Sequence, residues 1–103
     1  MIHSGRKTVA ATGTPEALAS DRTPASWLTI YAIHSNTGAV YIGDSNAQSE
    51  TDAGAGLYTG IRITPGNQHT FIPTDGGLYI NLKEVYVAVD TAADGVTYIY
   101  GSR

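Results

Sequence analysis

The chain contains no cysteine, so disulfide staples, thiolate nucleophiles and cysteine-based zinc sites are excluded. Charge is scarce too: Asp, Glu, Lys and Arg make up 15% of 103 residues, against about a quarter in ordinary globular domains. Formal net charge is -3, and the six Lys and Arg are scattered with only Arg6-Lys7 adjacent. Nucleic-acid binders draw most of their affinity from clustered cations against phosphates, so no nucleic-acid partner is expected. No apolar run approaches the ~20 residues of a membrane-spanning helix. No apolar stretch follows the charges of Met1-Ile-His-Ser-Gly-Arg-Lys-Thr-Val, so a secretory leader and a membrane partner are not expected. The expectation is a soluble chain made in the cytosol.

Groups for catalysis are equally sparse. His3, His34 and His69 stand far apart, none with a partner at metal-ligand spacing. No G-x-S-x-G frames a nucleophilic serine. Gly54-Ala-Gly56-Leu-Tyr-Thr-Gly60 places its last glycine one position late for a dinucleotide loop, with no helix after it. Alternate residues Asp44, Asn46, Gln48, Glu50 and Asp52 carry side-chain oxygens of the kind calcium takes. An EF-hand loop beginning at Asp44 would need Gly at 49 and Glu at 55, where this chain has Ser49 and Ala55. A solvated acidic loop is the better reading. We therefore expect no enzyme, no cofactor and no metal.

What is present is a β-pattern. With 42% apolar residues, the chain is large enough to bury about two-thirds of its unfolded surface around one core. Trp27 to His34 and Ala39 to Asp44 are rich in β-branched and aromatic residues, joined by the turn formers Ser35-Asn36-Thr37-Gly38. That pattern predicts a β-hairpin. Leu28, Ile30 and Ala32 fall on one strand face, Trp27, Thr29, Tyr31 and Ile33 on the other. Neither face is polar enough for plain solvent surface, which suggests a core on one side and an intermolecular contact on the other. Ser45 to Gly60 reads as a long polar, glycine-rich loop. Strands follow at Ile61 to Thr64, His69 to Ile72, Leu78 to Asn81, Glu84 to Asp90 and Val96 to Tyr100, with turns at Pro65-Gly66, 73–77 and 91–95. Turns about every ten residues mark sandwiches and barrels. Residues 1–26 carry few large apolar side chains, with Pro15 and Pro24 as punctuation. The predicted architecture is all-β: a compact antiparallel β-sandwich or barrel over 27–103, with an extended N-terminal arm over 1–26.

Seven tyrosines accompany one Trp and one Phe. Tyrosine is amphipathic and enriched at interfaces. The set is also compatible with a carbohydrate platform, best sought at Trp27 and Tyr31 on one strand face.

Ala39-Val-Tyr-Ile-Gly-Asp-Ser-Asn46, then Gly60-Ile-Arg-Ile-Thr-Pro-Gly66 and Leu82-Lys-Glu-Val-Tyr-Val-Ala-Val-Asp90, resemble small virion proteins of tailed bacteriophages. In those chains a VYVG strand, an L-x-PG turn and a DL-x-x-I/VYV strand recur in this order. Here Ile63 replaces the Leu and Asn81 the Asp. The resemblance covers about residues 27–100. It implies a capsid decoration or cement protein on the virion exterior, bound to the major capsid protein and forming a homo-oligomer, with a trimer favoured by capsid symmetry axes. The alternatives are a carbohydrate- or receptor-binding module and a tail or neck component. Contacts are then expected from the arm, at Val9, from the 45–60 loop, at Leu57 and Tyr58, and from Trp27 and Tyr31 where the arm meets the body.

Overall fold

Strand-forming segments recur along the described residues, and all the strands found there pair antiparallel. The computed structural model describes residues 1–54, 56–73 and 79–102. Its elements are β1 (Ile2–Thr8), β2 (Glu16–Ala17), β3 (Pro24–Ala32), β4 (Val40–Gly43), one helical turn α1 (Glu50–Ala53), β5 (Ile61–Ile63), β6 (Gln68–Phe71), β7 (Ile80–Asn81), a 3-10 turn at Leu82–Glu84, β8 (Tyr86–Val89) and β9 (Gly95–Ser102). The front sheet runs β1-β9-β3-β6, with β7 also on β3; the back sheet runs β2-β8-β4-β5. The expected turn at 73–77 and the start of the Leu78 strand lie largely outside the described residues.

The core fills the space between the sheets. Leu28, Ile30 and Ala32 from β3 face Val40 and Ile42 from β4 and Val87 and Val89 from β8, all at 0–2% exposure. Burying each of the larger side chains is worth about 1.5–3 kcal/mol relative to leaving it in water. The face assignment made for β3 from its alternation is the observed one.

The hairpin is not observed. β3 pairs with β9 and β6 in the front sheet, whereas β4 pairs with β8 and β5 in the back sheet. The Ser35–Gly38 link therefore crosses between sheets. Two distant residues hold it in that path. Asn36 exchanges two hydrogen bonds with the Gly95 backbone, at 2.8 and 3.1 Å. The buried Asp94 carboxylate accepts from Thr37 N and Gly38 N at 3.2 and 2.9 Å. Two strands with apolar inner faces read alike in sequence whether they pair side by side or pack face to face.

The extended N-terminal arm is not observed either. β1 pairs over its full length with β9, from Ile2 opposite Gly101 to Thr8 opposite Gly95. Val9, Leu18 and Ala25 are buried in the core. Within the same stretch Glu16–Ala17 form the short strand β2, paired with β8. Glu16 on β2 takes Lys7 of β1 at 3.0 Å, closing one flank of the sandwich, and accepts from Ala10 N at 2.9 Å. β1 looks arm-like in sequence because an edge strand is held by its backbone ladder and needs few apolar side chains of its own.

Candidate functional site

The two outer faces of the sandwich are finished differently. On the back sheet, Tyr41 and Ala88 are a cross-strand pair pointing away from the core. Residues 45–54 and 56–60 fold over them. Ala39, Tyr41, Ala47 and Ala88 make a second small core, with Tyr41 at 0% exposure. Polar contacts pin the loop at its centre. Tyr41 Oη donates to Asp90 at 2.9 Å, and the other Asp90 oxygen accepts from the backbone N and the hydroxyl of Thr51. Arg62 Nε reaches Tyr41 Oη at 3.4 Å and Glu50 at 3.3 Å, while Glu50 also accepts from Gly56 N at 2.9 Å. Burial pushes the Tyr41 hydroxyl above its ordinary pKa of 10.0. Gly60, at φ 114°, packs closely on the chain itself, where a Cβ would stand 2.8 Å from Ile42 O.

These contacts also answer the calcium-like spacing. Asp44 accepts from Asn46 N at 2.9 Å, and Glu50 is held by Arg62 and Gly56, so these two carboxylates have separate local partners. The side chain of Asp52 lies outside the described residues. Among the described residues, no three of His, Asp or Glu gather as a metal-binding group.

The front sheet has no such cover among the described residues. Strand register fixes which side chains share its outer face, because directly opposed residues point the same way. One row is Ile2, Gly101 and Trp27; the next is Ser4, Ile99, Thr29 and Thr70; the third is Arg6, Thr97, Tyr31 and Gln68. Trp27 lies across Gly101, where a Cβ would stand 2.5 Å from the indole Nε1. Thr29 and Thr70 share a hydroxyl hydrogen bond of 2.9 Å. Ile2 and Ile99 are 65% and 39% exposed. A shallow open hollow of about 490 Å3 runs along Arg6, Thr29, Tyr31, Thr97 and Ile99. Arg6 is the one formally charged side chain in these three rows. No known family model matches the chain, and neither curated proteins nor solved structures show a match. The geometry stands alone.

The five residues expected at a partner contact do not come together. Trp27 and Tyr31 lie on the bare front face, half-buried and separated by the row of Thr29. Leu57 and Tyr58 belong to the loop covering the back sheet, where the Tyr58 ring packs 5.1 Å from that of Tyr41. Val9 is fully buried in the core and unavailable to any partner. A valine alone in a polar stretch reads as an exposed contact until its segment is known to enter the sandwich.

The tyrosines are dispersed as well. Tyr98 and Tyr100 point inward beside the core, with His3 stacked on Tyr100 at 5.2 Å. Burial raises the Tyr98 pKa above 10.0. Tyr79 lies under the Arg22 guanidinium, 4.7 Å from its ring centroid. The residues the sequence did not mark are Ile2, Arg6, Gln68, Thr70, Thr97 and Ile99. Each alternates within its own strand, but only the strand order places them beside Trp27 and Tyr31.

Proposed function

We propose that this protein is a binding module that docks its bare front face on another protein, in the manner of a virion decoration subunit on the major capsid protein. The observation that carries this reading is the asymmetry of finish. One outer face is covered by the chain's own loop, while the other presents Trp27, Tyr31, Ile99 and Ile2 among hydroxyl and amide side chains with Arg6 as the one charge. Low charge and exposed aromatic and aliphatic groups favour close contact with a second surface, because little hydration has to be stripped from charges. A decoration role also suits a modest patch, since many copies on a lattice bind by avidity. The short sequence resemblance to tailed-phage virion proteins points the same way.

The test is co-sedimentation of the purified protein with capsids assembled from the major capsid protein of the same genome. Binding that saturates, is lost on Thr29→Lys and survives Leu57→Lys supports docking through the front face. Absence of co-sedimentation, or loss only on Leu57→Lys, sinks it. The saccharide reading rests on Trp27 beside Tyr31 and calls for saccharide-dependent quenching of Trp27 fluorescence.

A further inference from the structure

The backbone of β1 alternates in the direction its polar groups face. Val9 N donates to Asp94 O at 3.0 Å, Ala93 N to Val9 O at 2.8 Å, and Ser102 N to Met1 O at 2.8 Å. In an antiparallel ladder these bonds recur at every second residue. His3, Gly5 and Lys7 thus turn their backbone groups toward β9, while Ile2, Ser4, Arg6 and Thr8 turn theirs outward. β1 is the terminal strand of its sheet, and no hydrogen bond from another described residue reaches those outward groups. The other strands at sheet ends are short: two residues in β2, three in β5 and four in β6, against seven in β1. β1 contains no proline, and its register with β9 is unbroken. It lacks the bulges and prolines that blunt exposed edges.

We propose that β1 pairs antiparallel with β1 of a second copy, about a two-fold axis through Gly5. The occupant follows from the register. With Gly5 on the axis, Ile2 lies opposite Thr8 of the partner subunit and Ser4 opposite Arg6 of the partner subunit. All four are residues whose backbone groups face outward, so each outward N–H and C=O meets a complementary group. A shift by one residue along either strand would oppose outward-facing residues to inward-facing ones. The charges agree. Arg6 faces a neutral serine, and Lys7 brings the Glu16 carboxylate with it, so an acid accompanies the base opposite His3 of the partner subunit. The contact is isologous and closes at two copies, unlike the heterologous contact a trimer requires. It joins two front sheets into one and sets their bare faces side by side. This inference rests on the edge and not on the docking reading, so either fails without the other.

Sedimentation equilibrium of the full chain across a concentration series is the test. The expected mass rises with concentration toward twice the 10.8 kDa chain. Ser4→Pro removes an N–H that points away from β9, a place where an edge strand tolerates proline. It is expected to weaken dimerisation at least tenfold while the dilute protein keeps its melting midpoint. Should that variant fail to fold, cysteine trapping replaces it, with no native thiol to interfere. Mixed Ser4→Cys and Arg6→Cys chains should crosslink to each other at least tenfold faster than Ser4→Cys chains crosslink among themselves. A monomer at every concentration, a trimer, a dimer indifferent to Ser4→Pro, or equal crosslinking of Ser4→Cys with itself would each overturn the proposal.

Discussion

The outer faces of the front and back sheets begin from similar material and end differently. Each offers an aromatic side chain pointing away from the core, Tyr41 on β4 and Trp27 with Tyr31 on β3. Over Tyr41 the chain lays the described residues of its own 45–60 loop and secures them through Asp90, Arg62 and Glu50. Over Trp27 and Tyr31 none of the described residues is laid. Tyr41 is wholly buried, whereas the front-face aromatics stay half-buried. An apolar face without an internal cover is a feature that interaction surfaces share. The clad face shows that this chain can cover such a face when it does so.

Mutations that cut each face should separate their roles. The largest expected effect on stability is Tyr41→Ala, which empties the second small core and removes the hydroxyl donor to Asp90 Oδ2. A loss of about 3–5 kcal/mol in urea unfolding is expected, with faster proteolysis within 45–60. A loss under 1 kcal/mol would mean the loop is no true cover. Next comes Gly60→Ala, which sets a Cβ at φ 114° against Ile42 O. Strain of that kind costs about 1–3 kcal/mol, read from the thermal midpoint.

On the bare face Thr29→Lys should leave stability within about 0.5 kcal/mol of the parent, and its effect should appear only in capsid co-sedimentation. A large stability loss there would show that the front face is structural, and the comparison would collapse. The smallest effect belongs to Glu16. Its carboxyl is held below the ordinary 4.5 by the Ala10 N–H and by Lys7. A depressed folded-state pKa adds stability above the unfolded value, and that stability is lost as pH falls through the folded one. Glu16→Gln should therefore flatten the acid limb of a pH-stability curve below about pH 4.5 and change little at neutral pH. An unchanged acid limb would remove Glu16 as the closure of that flank.

Faces were legible in the sequence and partners were not. The alternation Leu28, Ile30, Ala32 against Trp27, Thr29, Tyr31 is local, and two-residue periodicity reports it directly. The positions of β5, β6, β8 and β9 were near their expected spans for the same reason. The path after β3 depends on Asn36 bonding Gly95 and on Asp94 bonding Thr37 and Gly38, contacts that span 56–59 residues of sequence, and no local pattern encodes them. β1 was invisible as a sheet strand because its polar side chains carry little burial signal, while the bonds that hold it are the same for any sequence. The front face gathers residues from β1, β3, β6 and β9, so only Trp27 and Tyr31, neighbours on one strand, could be read together. Leu57 and Tyr58 carried an interface-like composition to the opposite side of the molecule.

The place of β9 has a consequence for how the molecule is made. It is the last strand along the chain, yet it lies inside the front sheet, between β1 and β3. During synthesis β1 emerges well before β9 and finds no neighbour in its sheet until Gly95 to Ser102 have left the ribosome. β3 meanwhile has only β6 and β7 beside it, so the sheet has a gap at its centre. Non-local pairings of this kind close slowly, because the loop entropy is lost before the contacts form. Completion of the front sheet therefore waits for β9, with the β1 edge and the flank of β3 open to mispairing in the interval.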